Sequence, residues 1–523
     1  MLQNRTIKSR YEALASERAP YLTRAEKASK YTLPWYIKQD GDRDNSFETP
    51  YQSIGSEGVT NLASRLVMVL MPPNRPMFRL RIARQILAQA ENKKELITEV
   101  NAGLSRIETE TTGLIEATGD RTQFYSAILH LLIAGNVLLY VKPDNTKVYS
   151  LKNYVVQRDP DGSPLLIITK EQIARQLLPV KIRRAISEVI TDDTDTADDY
   201  SKETTHELYT AIKRHNDRWE IQQECEGIKV GTKGTYPLDK CPWLPLRLYR
   251  SEEESYGRGY VEQYYGSLHT LTILSKAIME AGAAASKVIF LVHPGATTKI
   301  DALTKADNLS FVQGSANDID VLQIEKYNDL KTAQTYVQDL TQQLSKVFLM
   351  NTAIQRNAER VTAEEIRYMA QELETALGGL YSVLAKEFQK PYITLRISYL
   401  QDADKIPPFA KGVNPEVITG VDALGRGQDA NTLIQYGQQI FKTLPPDAVM
   451  QYVNLQGYMR SLAAAYGIDD TTILKDDTQI QAEQQQAQQQ QMIQQALPNA
   501  INAGGKILDT KLKGEQTNGK TES

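Results

Sequence analysis

The chain has 523 residues, enough for several domains or for one elongated subunit of an assembly. Hydrophobic residues make up 41% and charged residues 24%, and no apolar run is long enough to span a bilayer, which excludes a transmembrane protein. The 60 Lys and Arg against 64 Asp and Glu give a net charge of -4, so the whole chain lacks the basic character of a sequence-independent DNA binder. Cys225 and Cys241 lack zinc-site spacing and are expected to be reduced packing residues.

The first quarter of the chain has apolar residues at helical spacing. This pattern predicts helices over Glu57–Leu70, Asn101–Ala117 and Thr122–Ala134. The first should end before three closely spaced prolines, which cannot continue a helix. Gly135 ends the third, and the run VLLYVK from Val137 predicts a buried strand.

The next segment is rich in β-branched and aromatic residues, which predicts a sheet. The expected strands are Lys147–Val156, Leu165–Thr169, His206–Arg214 and Trp219–Val230. Asp161 and Gly162 predict a hairpin turn between two of them. The acidic run Thr191–Glu203 is interpreted as a solvated loop, because it lacks the glycine and the distal glutamate of a calcium-binding loop.

Two helices of comparable length follow, separated by a short insertion. Apolar residues at spacings of three and four predict a helix from Tyr260 to near Lys287 and another from Tyr327 to Met350. Between them, β-branched runs, a Pro-Gly turn and a short helical pattern indicate a compact insertion.

A polar loop at Asn351–Val361 carries Arg356 and Arg360 and leads into another helical pattern. Thr362 and Glu365 form a capping box that marks the start of a helix. Apolar residues then recur at helical spacing as far as Lys390, which predicts a single rod about 43 Å long.

The C-terminal part is predicted to be helical over Asn431–Leu444 and Ala448–Tyr466. A glutamine-rich tail at 477–523 follows. Glutamine is a good helix former, but the apolar face of this tail is sparse, so a helix that needs partners and a disordered tail are both open.

Several stretches closely resemble the portal protein, or head-to-tail connector, of short-tailed, podovirus-type double-stranded DNA bacteriophages. They cover most of the chain from Arg18 to Asp429, in the order that the family has. The stretches are RAPYLTRAEKASKYTLP from Arg18, TPYQSIGSEGVTNLASRL from Thr49, HLLIAGNVLLY from His130, YVVQRDPDG from Tyr154, ESYGRGYVEQYYGSL from Glu254, IQRNAERVTAEEIRYMAQELETALGGLYSVL from Ile354 and GRGQD from Gly425.

The resemblance implies a mixed α/β, mostly helical portal fold that assembles into a ring. It divides the chain as follows: a wing at 1–256, a stem helix at 257–287, a clip at 288–326, a second stem helix at 327–350, a tunnel loop at 351–361, a long helix linking wing and crown at 362–390, a crown at 391–476 and a C-terminal tail at 477–523.

The resemblance also implies a function. Twelve copies would form a ring-shaped channel at one capsid vertex, through which double-stranded DNA passes during genome packaging, retention and ejection. The expected partners are other copies of the chain, the terminase large subunit, the tail adaptor protein, the major capsid and scaffolding proteins and internal core proteins, with no membrane. Assembly would occur in the host cytoplasm, the final location would be the virion, and no cofactor, metal or enzymatic activity is expected.

The candidate DNA-facing residues are cations near the predicted constriction. Arg356 and Arg360 in the loop are the first choice, followed by Arg367 in the next helix and by Lys331 and Lys346 on the second stem helix. The competing interpretation is that these residues do not face DNA, because a lone cation on a helix is usually a solvated surface charge or part of a modest intersubunit ion pair.

Two other classes of protein fit parts of the sequence. A helical adaptor or scaffold protein of the virion, without a channel, shares every amphipathic feature and differs only in not closing into a ring. A metal-dependent nuclease would use some of the many carboxylates, although no spacing singles out a metal site. The phosphate-binding loop, the metalloprotease motif and the nucleophile elbow are all absent from the sequence, and the glycines at 257 and 259 lack the third glycine of a dinucleotide site.

Overall fold

A computed structural model of the chain describes residues 6–38, 48–73, 77–81, 94–189, 205–251, 254–285, 289–296, 299–307, 310–322, 327–350, 363–377, 379, 383–407, 409, 416–419 and 426–445, with scattered positions from 449 to 462. These residues fall into two compact units. The first comprises Met1–Gln89 and Arg106–Gly425, and the second comprises Ala90–Ser105 and Arg426–Ser523.

Helices and strands alternate through the first unit, so the predicted mixed helix-and-sheet class is confirmed. The helices are α1 Ile7–Lys30, α2 Ile54–Leu70, α3 Lys94–Ala117, α4 Asp120–Ala134, α5 Val180–Val189, α6 Tyr260–Ala285, α7 Ile300–Thr304, α8 Tyr327–Val347, α9 Ala363–Leu377, α10 Lys390–Asp402 and α11 Arg426–Thr443. The strands are β1 Phe78–Arg81, β2 Asn136–Val141, β3 Thr146–Tyr149, β4 Tyr154–Arg158, β5 Pro164–Ala174, β6 Thr205–His215, β7 Arg218–Cys225, β8 Ile228–Pro237, β9 Trp243–Arg247, β10 Ile289–Val292, β11 Ile319–Leu322 and β12 Glu416–Thr419.

The largest sheet is antiparallel, with the strand order β4-β5-β6-β7-β8. Helix α1 packs on it through Tyr11 and Leu14, which form a buried apolar cluster with Val155, Ile168 and Tyr209. Arg18 on α1 is buried, and its guanidinium donates to the backbone carbonyls of Lys152 and Tyr154 at 2.8 Å each. Helix α1 is therefore fixed to the sheet by both apolar and polar contacts.

Two predicted strands are wrong in their extent. The predicted strand Lys147–Val156 is divided into β3 and β4 by a 3₁₀ turn at Leu151–Asn153, and the two strands belong to different sheets. The predicted strand over 219–230 is two strands, because Glu226 and Gly227 have φ values of 47° and 80° and make a tight turn between β7 and β8. The hairpin turn predicted at Asp161 and Gly162 is confirmed between β4 and β5.

A second sheet has the order β3-β2-β9 and packs against α4. Gly135 ends α4 with φ of 73°, a left-handed conformation that glycine adopts without strain. Asn136 then opens the buried strand β2. The predicted helix 122–134 and the predicted strand from Val137 are thus confirmed, with bounds shifted by one or two residues.

The single rod predicted over 362–390 is wrong. Helix α9 ends at Leu377 and Gly379 has φ of 83°. Val383 is already helical, and the chain then passes through a π-helix at Ala385–Gln389 into α10. The amide of Gly379 donates to the carbonyl of Glu374 at 3.3 Å, which closes the end of α9. The adjacent Gly378 and Gly379 lower the helix propensity at this point, an effect that the apolar spacing conceals.

The centre of the first unit contains a buried ion pair. Arg396 on α10 is fully buried, and its guanidinium contacts the Asp120 carboxylate and donates to the carbonyls of Lys142 and Pro143 at 2.8 and 2.9 Å. The Tyr392 hydroxyl donates to the same carboxylate, and burial, with the Asp120 charge next, raises the pKa of Tyr392. A buried charge pair persists only when its remaining donors are satisfied, and the loop carbonyls do this for Arg396.

In the second unit, α11 confirms most of the predicted helix 431–444. The Tyr458 hydroxyl donates to the carbonyl of Leu433 at 3.0 Å. Most of the predicted helix 448–466 and all of the tail 477–523 lie outside the described residues.

Asp120→Asn should destabilise the protein by about 3–5 kcal/mol, because it leaves the Arg396 charge buried without its counter-ion. Thermal and urea unfolding followed by circular dichroism measure the loss. The matched control is Glu220→Gln, which breaks the exposed 3.7 Å pair with Lys233 and should cost less than about 1 kcal/mol. Equal losses in the two variants would contradict a central role for the buried pair.

Gly379→Ala should destabilise by about 1 kcal/mol or more, because a side chain is strained at φ of 83°. Gly113 in α3 is the control, since a Cβ there meets no atom within 4 Å and alanine should stabilise that helix. Melting temperatures of the two variants should therefore shift in opposite directions. A higher melting temperature for Gly379→Ala than for the parent would show that position 379 tolerates an ordinary helical conformation.

Candidate functional site

The candidate site begins with the antiparallel pair α6 and α8. Tyr260, at the start of α6, lies beside the last turn of α8, so the two helices run in opposite directions. The predicted apolar stripe of α6 is buried at Val261, Leu268 and Leu271, all near this end of the helix. Between the two helices, β10 and β11 pair antiparallel and α7 lies in the connection. The predicted compact insertion is present.

Among the residues that the structure describes, only one end of this helix pair packs deeply against the rest of the first unit. Toward the insertion, the side chains of Ile273 and Met279 on α6 are 52% and 53% exposed, and that of Tyr336 on α8 is 60% exposed. These large apolar side chains lie on the outer halves of two long helices. Surfaces that meet another chain often carry exposed apolar side chains of this size.

The last turn of α8 is fixed by an aromatic ring in a notch. Phe348 is fully buried, with the rings of Tyr260 and Tyr264 at centroid distances of 5.9 and 6.2 Å. Gly58 of α2 forms the floor of the notch, because a Cβ at this position would lie 2.5 Å from the Phe348 ring. Any larger residue at position 58 would displace the ring.

The carbonyl groups at the end of α8 receive hydrogen bonds from side chains of other helices. The Tyr260 hydroxyl donates to the carbonyl of Val347 at 2.8 Å. The Asn61 side-chain amide donates to the carbonyls of Phe348 and Leu349 at 3.1 and 3.3 Å. A helix end that is buried needs such donors, because its last carbonyls have no partner within the helix.

The backbone at this end forms a Schellman motif. The amide of Met350 donates to the carbonyl of Ser345 at 2.8 Å, and the amide of Leu349 donates to that of Lys346 at 3.1 Å. Leu349 occupies the left-handed position with φ of 53°, where glycine is usual. A strained side chain at this position indicates that the surrounding contacts determine the conformation.

Of the five candidate cations, the structure describes the side chains of two, both on α8. Lys331 and Lys346 are both exposed on α8, fifteen residues apart, and hence about 22 Å apart along the helix axis. Lys346 lies in the last turn of α8, where a cation also interacts favourably with the helix dipole. Arg367 belongs to α9, but its side chain, like Arg356 and Arg360 as a whole, lies outside the described residues.

Two stretches that carry the family resemblance meet near the start of α6. The Asn136 amide donates to the carbonyl of Gly257 and its side-chain oxygen accepts from the amide of Gly257, each at 2.7 Å. A Cβ on Gly259 would lie 2.4 Å from the carbonyl oxygen of Ile133. The glycines of the GRG sequence therefore permit close backbone packing, a role that has no connection with nucleotide binding.

Sequence reasoning missed Gly58, Asn61 and Tyr260 as residues of the site. Gly58 and Asn61 do lie in the stretch from Thr49 that resembles the family, and Tyr260 lies in the stretch from Glu254. The sequence did contain one signal for the first two residues, namely an asparagine on a buried helix with a glycine three positions before it. Their partner, the end of α8, is distant in sequence and could not be inferred from local pattern.

Within the described residues, no cluster of three or more His, Cys, Asp or Glu side chains is arranged to hold a metal ion. The helices in the same part of the chain are all too short or too polar to cross a bilayer.

Comparisons with known proteins identify the class of molecule. The family described as "Bacteriophage head to tail connecting protein" matches residues 4–474. The portal protein of Escherichia phage T7 is 38% identical over 521 residues, covering 98% of this chain and 94% of the relative. The portal protein of Enterobacteria phage T3 is 36% identical over 508 residues, covering 95% of this chain and 92% of the relative.

Among solved structures, a chain from the neck of an empty GTA particle computed with C6 symmetry aligns with a TM-score of 0.35 and 12% identity, covering 76% of this chain and 91% of that chain. A chain from the virion of a native gene transfer agent particle aligns with a TM-score of 0.31 and 12% identity, covering 75% and 98%. TM-scores this low do not establish a shared architecture.

The family match over residues 4–474 defines a structural component of a phage particle, and the chain belongs to the family of bacteriophage head-to-tail connecting proteins. The predicted resemblance to the portal proteins of podovirus-type phages, with a portal role and without enzymatic activity, is confirmed by the relatives of phages T7 and T3.

Tyr260→Phe should lower stability by about 0.5–1.5 kcal/mol, because the Val347 carbonyl loses its buried donor. Burial, with Tyr264 next, raises the pKa of Tyr260, so the hydroxyl remains a donor at every pH at which the protein is handled. Tyr336→Phe on the exposed side of α8 is the control and should be neutral. Hydrogen exchange at the end of α8 should accelerate only in Tyr260→Phe, and equal exchange in both variants would contradict the role of the hydroxyl.

Proposed function

We propose that twelve copies of this chain close into a ring-shaped DNA channel at one capsid vertex, used for genome packaging, retention and ejection. The observation that carries the proposal is the 38% identity to a portal protein over 98% of the chain, since it includes the helix pair, the insertion and the arginine-bearing segment together. The assembly is a heterologous ring, in which each contact surface of one subunit meets a different surface of the next.

The segments of the chain take the following proposed roles: a wing at 1–256, a stem at 257–287 and 327–350, a clip at 288–326, a tunnel loop at 351–361, a linking segment at 362–390, a crown at 391–476 and a tail at 477–523. The bounds of α6 and α8 support the stem, and the paired strands β10 and β11 support a separate clip. The linking segment is bent at Gly379 and is not one rod.

The exposed outer halves of α6 and α8 supply surface for the ring. Ile273, Met279 and Tyr336 would be covered by the neighbouring subunit, because removing large apolar side chains from water is favourable. A non-channel adaptor would leave this surface exposed, or would cover it with a different protein.

The charge of the ring favours free passage of DNA. Twelve subunits at a net charge of -4 give 12 × (-4), or -48, so that the channel as a whole repels phosphates. Local attraction would then come from rings of Arg356 and Arg360, assisted by Arg367, Lys331 and Lys346. Weak and local attachment allows a duplex to slide.

The other proposed partners follow from this position in the particle. The terminase large subunit would dock on the clip during packaging, and the tail adaptor protein would replace it later. Major capsid and scaffolding proteins would surround the ring during assembly in the host cytoplasm, and internal core proteins would contact its inner end. Each of these contacts is proposed from the family alone.

Negative-stain electron microscopy of the purified chain tests the ring directly. The proposal predicts closed rings with a central hole of one dominant size. A homogeneous monomer or dimer under the same conditions would remove the channel and leave the adaptor as the better interpretation.

The double variant Arg356→Glu/Arg360→Glu should reduce DNA packaging or retention in assembled particles, with ring formation unchanged, because two attractive charges per subunit become repulsive. DNA content per particle and its release on warming are the measurements. Arg214→Glu/Arg218→Glu, at the exposed tip of the β6–β7 hairpin, is the matched control and should have no effect on either quantity. Wild-type retention in the loop variant would exclude these arginines from the channel wall.

A further inference from the structure

One face of α2 contacts the chain on both sides of the proposed tunnel loop. Gly58, Asn61 and Arg65 are spaced by three and four residues and so lie on the same face of the helix. The first two contact the end of α8, as described above. The third contacts α9, because the Arg65 guanidinium lies 3.4 Å from the Glu372 carboxylate.

Helix α2 is itself held rigidly in the core. The neighbouring face of the helix, about 100° further round its axis, is fully buried at Val59, Leu62 and Leu66. Helix α9 also packs on α2, and its buried residues Leu373 and Leu377 are four apart on one stripe. A rigid helix that contacts α8 and α9 together can fix the distance and the angle between them.

The attachments of the two helices to α2 differ in kind. The α8 end is held by a buried ring in a glycine notch and by hydrogen bonds to buried carbonyls, none of which is weakened by salt. On α9, the side chains of Arg65 and Glu372 are 11% and 19% exposed, so their attraction is stronger than that of a surface pair but is still reached by solvent. On the α9 side, the ion pair therefore adds a salt-sensitive contact to the apolar packing of α9 on α2.

We propose that the Gly58–Asn61–Arg65 face of α2 is a positioning element that sets the geometry of α8 against α9. Asn61 and Arg65 act through the two helices and do not contact DNA. The meaning of this element for the channel rests on the proposed function, whereas its effect on the two helices does not.

Spin-label distance measurements between α8 and α9 test the proposal. Lys346→Cys and Tyr368→Cys place labels on exposed positions of the two helices, and the native Cys225 and Cys241 are buried. Labelled chains are mixed with an excess of unlabelled chains, so that distances within one subunit dominate. The parent should give one narrow distance distribution.

Arg65→Met keeps the length and apolar stem of the side chain but removes its charge. We expect this variant, and Glu372→Gln, to at least double the width of the distribution at unchanged melting temperature. The charge exchange Arg65→Glu/Glu372→Arg should restore the narrow distribution, which a purely structural loss would not do. Arg250→Met, which breaks the exposed 3.1 Å pair with Glu387 elsewhere in the first unit, should leave the distribution unchanged.

Distributions as narrow as the parent in both Arg65→Met and Glu372→Gln would overturn the proposal, as would a failure of the charge exchange to restore the parent width. If Arg65→Met broadens the distribution but the purified chain forms no rings, the positioning element stands and the channel fails. If the purified chain forms rings but Arg65→Met leaves the distance distribution unchanged, the channel stands and the positioning element fails.

Discussion

The end of α8 is the constraint on which the rest of the structure depends. Its last carbonyls are carried into the interior by Phe348, which is fully buried, and a buried carbonyl without a donor is costly. The donors come from two other helices, the Asn61 amide on α2 and the Tyr260 hydroxyl on α6. In the folded subunit, the carbonyls at the end of α8 therefore have these donors only when both helices are in place. The end of α8, with its contacts to α2 and α6, is thus a joint between three separate segments of the chain.

This joint lies at the root of the segment that carries the candidate arginines. The opposite ends of α6 and α8 are exposed, and their apolar side chains have no cover from the same subunit in the described part of the chain. One end of the helix pair is thus fixed to the body of the subunit, while the other end offers surface to a neighbour. In the proposed ring, this division would keep the α6–α8 pair in the same orientation in every subunit.

The sequence pattern correctly predicted the helices and strands that are determined by residues close together in the chain. The approximate bounds of α2, α4, α6 and α8 followed from apolar spacing, and proline or glycine marked the ends of α2 and α4. The break at Gly379 was missed, because apolar residues keep their helical spacing across a glycine pair that the backbone does not follow. The contacts of the site were beyond prediction for a different reason. Asn61 and the Phe348 carbonyl are separated by 287 positions, and no single-sequence pattern reports such a pairing. Family resemblance located the arginine-bearing segment but gave no information on what holds it.

A cryo-electron microscopy reconstruction of the assembled protein, at a resolution that shows side chains, tests the central claim most directly. The account predicts a closed ring whose bore is lined by α6 and α8, with Arg356 and Arg360 directed toward the axis and Asn61 bound to the end of α8 in every subunit. A particle without a bore, or one in which those arginines face the outer rim, would contradict it.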